Sequence, residues 1–373
     1  MKTVRRLLYR DVLGSVVFVA LSFLSLFYFI DFVDELDRMN RAGAGAGQAA
    51  ILALLELPGH FYELFPIAVL IGSILSLSRM AQSSEFTILR TGGLGPSRAL
   101  KLLATLALGF AALTFVVGDF AAPFSERQGE LARARFTGAP AGSRGAWLKD
   151  KQMTKDGERS YSVNVQRASA AGVLDDVRIF EFDAHGGLIS RIAAKQARVD
   201  AKGEWTLSDV QQTSWRAPAA GQPGAERSQV EQSHLDALRW QSSLDAGVIA
   251  AAVLPAWSMS TVELYRYSAH LSSQEQSTQA HNIQFWRKAL YPFACIVMVA
   301  LALPFAYLHG RSGGISLKVF GGIMLGISFV LLNNLASHVG LLKNWTPWLV
   351  AATPSMIYLG LSMAAFGWLV RYR

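Results

Sequence analysis

The sequence predicts a membrane α-helical bundle that carries a large inserted β domain. Three long apolar segments lie in the first third of the chain, and three more fill its last quarter. Between them, residues 123–265 contain no apolar run of the roughly 20 residues that a spanning helix needs. We therefore expect transmembrane helices 1–3 in residues 1–122, an all-β, jellyroll-like domain in residues 123–265, and transmembrane helices 4–6 in residues 266–373.

Six segments are apolar enough to cross a bilayer. They are residues 12–30, 61–77, 102–121, 289–308, 319–337 and 347–370. The second segment extends back to Ala49 through Pro58 and Pro66, which predicts one long, kinked helix because proline removes a backbone hydrogen bond. The first segment follows the basic residues 1–10, but it is too long for the apolar part of a signal peptide. We expect it to be retained as the first helix.

Lys and Arg residues near the ends of the spans predict the orientation of the bundle. Both termini and the second and fourth connections are basic, and with six spans all of these lie on one side. We therefore expect both termini in the cytoplasm and the inserted domain on the outer side. Arg287 and Lys288 run against this bias. Snorkelling of these two side chains to lipid headgroups is favoured over a role in substrate binding.

The net charge of +8 does not indicate a nucleic-acid partner, because much of it belongs to the basic ends of the spans. The single cysteine, Cys295, lies within a predicted span. The inserted domain therefore has no disulfide and must be held together by packing and strand pairing.

The inserted domain shows the two-residue period of β-strands. Alternating patterns occur at residues 161–165, 177–182, 189–199 and 205–210, and a weaker one occurs at 235–240. Turn-forming residues separate them, which favours an antiparallel sandwich, jelly roll or open barrel. The domain contains no catalytic or metal-binding pattern. Residues 258–284 then favour helix, with Ser260 in position to cap it.

The connection between the second and third spans predicts a short helix at residues 84–92. Its ends carry residues that cap a helix or match its dipole: Ser84, Glu85, Arg90, Gly92 and Gly93. Phe86, Leu89 and Arg90 form a mixed apolar and basic face. The pattern fits an interfacial linker helix, and it fits equally a coupling helix that docks on a cytoplasmic partner.

Motifs for nucleotide hydrolysis and for other catalysis are absent from the sequence. It has no Gly-x-x-x-x-Gly-Lys-Ser/Thr loop, no His-Glu-x-x-His pair and no Gly-x-Ser-x-Gly elbow. The predicted spans are almost free of charged residues, which disfavours a proton-coupled carrier. We expect no catalytic residue, no metal ligand and no directly bound cofactor.

Short motifs placed in order along the chain resemble those of the LptF/LptG (YjgP/YjgQ) family of lipopolysaccharide-export permeases. They are Phe32-Val-Asp34, residues 64–72, Ser84-Glu85 with Arg90 and Gly92, Ala122-Pro123, and Trp286-x-Lys288 with Pro292. The order of three spans, a β insert and three spans extends the resemblance over the whole chain. The sequence around Phe32 and Leu64 is closer to LptG than to LptF.

The resemblance implies a non-catalytic permease subunit of an ABC-type transporter in the bacterial inner membrane. Its partners would be an LptF-like paralogous permease, an LptB-like ATPase dimer, an LptC-like single-helix subunit and an LptA-like bridge. The ATPase would bind ATP and Mg²⁺, and the periplasmic insert would be a β-jellyroll that passes lipopolysaccharide onward. The predicted short helix would be the coupling helix, with Ser84, Glu85, Phe86, Leu89 and Arg90 at the ATPase.

One stretch departs from the family pattern. Related LptG chains tend to carry basic residues at the outer end of the first helix, whereas this chain has Asp31, Asp34, Asp37 and Arg38. Carboxylates that share a helix face there repel the phosphates of lipid A. Three explanations compete: the partner permease supplies the cations, a divalent ion bridges carboxylate and phosphate, or Arg38 binds phosphate while the acids pair with Arg133 and Arg135. We favour the third hypothesis.

Gly322 and Gly326 form a small-xxx-small pair in the fifth span. The pair fits tight packing inside the bundle, and it fits equally a gating contact, because the lateral gate of the family uses helices one and five. These glycines, Lys288 and the charged residues named in the previous paragraph are our candidates for the substrate cavity and its gate.

The leading functional hypothesis is a permease subunit of an ATP-driven extractor of lipopolysaccharide. Movement of residues 84–93 would squeeze a cavity lined by helices one, two and five. One alternative is a secondary, ion-coupled transporter of lipid or solute, which requires ionisable residues inside the spans. Another is a membrane scaffold for a periplasmic partner, for which the short helix would be dispensable.

Overall fold

The computed structural model describes most of the chain. The described residues are 2–83, 85–91, 96–137, 146–154, 157–168, 173–200, 203–216, 229–245, 248–249, 259–273, 278–307 and 314–371. They form two compact units, of which one comprises Met1–Gly129 with Gln279–Arg373 and the other comprises Glu130–Thr278. The domain limits expected at 122/123 and 265/266 remain a prediction.

Six helical segments within the described residues are long and apolar enough to cross a membrane. The helices are α1 (Lys2–Arg41), α2 (Ala46–Gln82), α3 (Glu85–Thr91), α4 (Pro96–Val116), α5 (Ala122–Thr137), α6 (Thr261–Ser273), α7 (Gln279–Tyr307), α8 (Ile315–Leu342) and α9 (Pro347–Arg371), with a π-helical turn, Val117–Ala121, between α4 and α5. This confirms the six predicted spans. It also confirms that α2 is a single helix through Pro58 and Pro66.

The core of the helical unit is built around α2, which is the most buried of the six spans. A helix that is apolar on all sides is normally surrounded by others, and α1, α4, α7 and α8 all contact α2. The backbones of α1 and α2 approach closely at Gly72, where a Cβ atom would lie 2.5 Å from the Cα atom of Val16 on α1. Glycine at this position therefore sets the distance between α1 and α2.

The inserted region is a single six-stranded antiparallel sheet whose strands pair in sequence order. The strands are β1 (Ala146–Thr154), β2 (Gly157–Ala168), β3 (Val173–Phe182), β4 (Leu188–Val199), β5 (Glu204–Arg216) and β6 (Gln229–Gln241). This confirms an inserted antiparallel β region, and each predicted strand lies within β2 to β6. The first strand was not predicted, because the charged residues Lys149, Asp150 and Lys151 interrupt its apolar alternation.

Asp150 is a charged residue in the interior of this unit, and its hydrogen bonds make this burial possible. Its buried carboxylate accepts hydrogen bonds from Gln152 Nε2 at 2.8 Å, Ser242 Oγ at 2.7 Å and both Ser243 N and Oγ at 3.2 and 2.6 Å. Gln152 Nε2 also lies 2.9 Å from the carbonyl oxygen of Gln241. Because β1 and β6 are the outer strands, these bonds bring the two edges of the sheet together, as in a partly closed barrel.

Helix α6 begins with the cap that the sequence predicts. The backbone nitrogen of Ser260 donates to Glu263 Oε2 at 2.9 Å, and the backbone nitrogen of Glu263 donates to Ser260 Oγ at 3.3 Å. This reciprocal pair is a capping box, which satisfies two of the backbone donors that a helix start leaves open. The predicted helix after the sheet is therefore confirmed.

His270 on α6 makes the stability of the β unit sensitive to acid. Burial lowers the pKa of His270, although Asp150, Asp245 and the backbone of Lys149 act in the opposite direction. As the pH falls below about 6.5, His270 of the unfolded chain therefore takes up a proton before His270 of the folded protein does. Stability from the neutral imidazole is fully present above that pH and is lost below it.

We expect hydrogen-exchange protection factors of β1 and α6 to fall between pH 7.5 and 5.5 in the full-length protein. The variant His270→Gln, which has no group that titrates in this range, is expected to show a flatter pH dependence. If the protection factors of the two proteins fell equally with pH, His270 would be ruled out as the source of the acid sensitivity.

Candidate functional site

The predicted coupling helix is present as α3, Glu85–Thr91. Glu85 and Ile88, three residues apart, are exposed and share a face, whereas Leu89 is half-buried and packs against the main core of the helical unit. Ser84, Gly92, Gly93 and the side chains of Phe86 and Arg90 lie outside the described residues. The arrangement gives α3 one face in the bundle and one face free for a partner, and its role in coupling remains a prediction.

Ile88 is a functional candidate that the sequence analysis did not include. Its side chain is 66% exposed, whereas the neighbouring Leu89 packs against the core. The signal was present in the sequence, because Ile88 lies three residues after Glu85 and so on the same face.

The charged residues at the end of α1 have partners within the helical unit. Asp31 lies 2.8 Å from His60 Nε2 on α2, and Arg38 lies 2.7 Å from the buried Glu35. Asp37 pairs with Arg41 one turn further, and Asp34 is exposed. Asp31 and Asp34 therefore differ in environment although they are near the same helix face.

The two arginines proposed as partners of these acids lie on α5. Arg133 contacts Glu130 one turn earlier at 2.9 Å, and Arg135 is exposed. The pairing of Asp31 or Asp34 with Arg133 and Arg135 remains a prediction. The partner that the structure describes for Asp31 is His60, a residue that the sequence analysis did not select.

Gly322 and Gly326 place α8 directly against α2. A Cβ atom at Gly322 would lie 2.7 Å from Ile74 Cδ1, and one at Gly326 would lie 2.7 Å from Ile67 Cγ2. These distances are shorter than real van der Waals contacts, so the glycines permit the close approach. The packing interpretation has direct support in this geometry, and the gating interpretation remains a prediction.

Lys288 lies inside the helical unit, so the favoured interpretation of headgroup snorkelling was wrong for this residue. Its side chain lies over the ring of Tyr62, with Nζ 5.9 Å from the ring centroid, and the residue is only 8% exposed. Tyr291, one turn further on α7, packs against the same ring and donates a hydrogen bond to the carbonyl oxygen of Glu63 at 2.5 Å. The cation–π geometry gives Lys288 a partner in the bundle interior.

Asp119 is a second charged residue in this part of the bundle that the sequence analysis missed. It is 9% exposed and lies in the π-helical turn Val117–Ala121. Gly118 packs so closely on Tyr62 that a Cβ atom there would overlap the ring. A single acid within the apolar residues 102–121 was the available signal, because ionisable residues inside spans are uncommon and often functional. Single π-helical turns are also frequent at functional sites.

Comparison with known proteins extends over nearly the whole chain. The family described as lipopolysaccharide export system permease LptF/LptG matches residues 6–370. The chain belongs to the LptF/LptG permease family. It is 26% identical over 360 residues to the lipopolysaccharide export system permease protein LptG of Haemophilus influenzae, with 96% of each chain covered. It is 24% identical over 351 residues to LptG of Escherichia coli strain K12, with 93% of this chain and 92% of the relative covered.

Membership of the LptF/LptG family confirms the resemblance that the sequence motifs indicated, including the closer similarity to LptG. It also agrees with the architecture of six candidate membrane spans and one inserted antiparallel sheet. The chain is a multi-pass membrane protein of a family of lipopolysaccharide-export permeases.

Proposed function

We propose that this protein is the LptG-type permease subunit of an ATP-driven transporter that extracts lipopolysaccharide from the inner membrane. The observation that carries the proposal is the family match over residues 6–370, which includes both groups of spans and the β insert. The protein itself has no catalytic role in this scheme. A separate ATPase binds ATP and Mg²⁺ and hydrolyses the nucleotide.

The packing of α3 supports a mechanical role in this scheme. Leu89 contacts the core that all six spans contribute to, while Glu85 and Ile88 face outward. An ATPase that pulls on the outward face would move Leu89 and with it the packed helices, because a close-packed core transmits displacement instead of absorbing it. The displaced helices would then close the lipid cavity.

Family membership supports a proposal for the remaining parts of the assembly. An LptF-like permease would pair with this chain, an LptB-like ATPase dimer would bind α3, and an LptC-like subunit would contribute one helix. The β insert would face the periplasm and pass lipopolysaccharide towards an LptA-like bridge by pairing the edges of β-sheets. Both termini would be cytoplasmic, as the distribution of Lys and Arg indicates.

The decisive experiment is depletion of this chain in its own organism. Newly made lipopolysaccharide is then expected to accumulate in the inner membrane, and restoring the chain is expected to reverse this. Normal delivery of lipopolysaccharide to the outer membrane after depletion would contradict the proposal.

The variant Glu85→Lys tests the role of α3. Reversing the charge of an exposed interface residue is expected to lower the amount of ATPase that co-purifies with the tagged protein by about tenfold, which corresponds to about 1.4 kcal/mol of binding free energy. Glu231→Lys makes the same charge change at an exposed position of β6 and is expected to leave the complex intact. Full recovery of the ATPase with Glu85→Lys, together with normal export, would remove α3 from the coupling mechanism.

A secondary, ion-coupled transporter remains the second candidate because charged residues are buried in the helical unit, among them Asp119 and Lys288. Lys288 lies over the ring of Tyr62, and Asp119 follows Gly118, which packs on the same ring. Buried ionisable residues of this kind are the feature that ion-coupled transport requires. Transport in reconstituted vesicles separates the candidates. Dependence on ATP and insensitivity to a protonophore support the permease, whereas transport without ATP that a protonophore abolishes supports the ion-coupled carrier.

A further inference from the structure

Three side chains with metal-binding atoms converge between α1 and α2. They are Asp31 on α1 and Glu56 and His60 on α2, and one ligand atom from each lies within 4.8 Å of the other two. None of the three is fully exposed to solvent. The cluster lies within one compact unit, so its geometry depends only on how α1 packs along α2.

The helices position these ligands by their periodicity. Glu56 and His60 are four residues apart on α2 and therefore lie on one face, one turn from each other. The ring of Phe27, one turn before Asp31, packs on the imidazole of His60 with a centroid distance of 4.8 Å. This contact fixes the plane of the imidazole, as supporting residues commonly do for histidine ligands.

The contact between Asp31 and His60 leaves a ligand atom unsatisfied. Asp31 Oδ2 lies 2.8 Å from His60 Nε2, yet no donor among the described residues is directed at this oxygen to form a hydrogen bond. The oxygen itself is inaccessible to solvent, and the Asp31 side chain is only 12% exposed. A buried carboxylate oxygen without a donor is costly, and a cation bound beside it would lower that cost.

The charges around His60 also favour a bound cation. Three carboxylates, those of Asp31, Glu35 and Glu56, lie along the part of the α1–α2 interface that contains His60. Arg38 is engaged with Glu35 at 2.7 Å, one turn beyond Asp31. A divalent ion bound to a neutral His60 would place positive charge beside the Asp31 oxygen, which receives no hydrogen bond from the described residues.

We propose that Asp31, Glu56 and His60 form a binding site for a divalent first-row transition cation, with Zn²⁺ as the best match. One imidazole nitrogen with two carboxylate oxygens is a donor set that suits Zn²⁺, whereas Mg²⁺ and Ca²⁺ prefer oxygen ligands alone. The bound ion would join α1 to α2 and keep at least one coordination position for water or an anionic oxygen. The sequence analysis named no metal ligand, although a divalent ion that bridges carboxylate and phosphate was one of its three explanations for the acidic end of α1. It gave no sign of Glu56 or His60.

The test uses the full-length protein after treatment with a chelator, and Zn²⁺ as the probe. Competition with a chromogenic chelator is expected to reveal one saturable Zn²⁺ site per chain that millimolar Mg²⁺ does not displace. Each of the variants Asp31→Asn, Glu56→Gln and His60→Gln is expected to weaken binding by more than the roughly 10- to 100-fold that loss of a supporting residue costs. Zn²⁺ is expected to raise the Tm of the unmodified protein and not of these variants.

His234→Gln is the matched control, because His234 makes an exposed contact with Asp209 at 3.6 Å on the β-sheet. It is expected to leave the tight site unchanged. X-ray absorption of the Zn²⁺-loaded, unmodified protein provides a measurement that does not depend on any variant, and it should show one imidazole with oxygen ligands. Absence of a saturable site, equal affinity in His60→Gln, or a shell of several imidazoles would each overturn the proposal.

Discussion

The Asp150→Ala variant is expected to lose at least about 1.5–3 kcal/mol of stability in the β unit, which is the usual contribution of a single hydrogen bond to a charged group. Asp150 is fully buried and accepts hydrogen bonds from Gln152, Ser242 and Ser243. Alanine cannot accept any of them. Ser242 is buried, so the loss of its acceptor costs about 1–3 kcal/mol, whereas water can reach the exposed Ser243.

Because of the position of Asp150, its replacement is expected to destabilise both outer strands of the sheet and not only the strand that carries it. β1 and β6 are the two outer strands of the sheet, and Asp150 joins β1 to the residues that follow β6. Without it, the residues that follow β6 lose their hydrogen bonds to β1, and the contact from Gln152 Nε2 to the carbonyl oxygen of Gln241 remains. Hydrogen exchange of the full-length protein should therefore show lost protection in both outer strands, although only β1 carries the substitution.

Asp236→Ala provides the control for this prediction. Asp236 lies on β6 and is exposed, so its replacement is expected to change stability by no more than about 0.5 kcal/mol. Loss of protection confined to β1 in Asp150→Ala would mean that the edges are held together by other contacts. In that case the next candidate for the contact that holds the edges together is Trp205. Its Nε1 donates to the carbonyl oxygen of Leu244 at 3.0 Å.

The sequence predicted the elements that local patterns determine. Long apolar runs identified all six spans, and two-residue alternation identified β2 to β6. The cap of α6 was predictable because Ser260 and Glu263 are three residues apart. Each of these features depends on residues that are near in the chain, where side-chain periodicity and turn chemistry are sufficient.

The features that the sequence did not predict depend on tertiary contacts. The strand β1 was missed because Asp150 appears polar in the sequence and is buried only through partners that follow β6. Lys288 was expected at the lipid headgroups because nothing near it in sequence indicates the ring of Tyr62. The proximity of Asp31 to His60 depends on the register between α1 and α2, which no local pattern specifies.

The backbones of α1 and α2 approach closely at Gly72, and we expect this contact to help set their register, which Gly72→Ala tests. A Cβ atom at this position would lie 2.5 Å from Val16 Cα and 2.7 Å from Val16 N. Both are backbone atoms, so no side-chain rotation can relieve the overlap and the two helices must separate. We expect the free energy of unfolding to fall by about 1–3 kcal/mol, which is the usual cost of overpacking a core. Chemical unfolding of the detergent-solubilised protein measures this change.

Gly14→Ala distinguishes this steric effect from the general effect of replacing glycine in a helix. Gly14 lies on α1 two residues before Val16, and a Cβ atom there would have no neighbour within 4 Å. Alanine is expected to be neutral or to stabilise this position by up to about 1 kcal/mol, because its helix propensity is higher. If the two variants had the same stability, the contact between Gly72 and Val16 would not fix the spacing of α1 and α2. The convergence of Asp31 with Glu56 and His60 would then require another cause, because these residues belong to the same pair of helices.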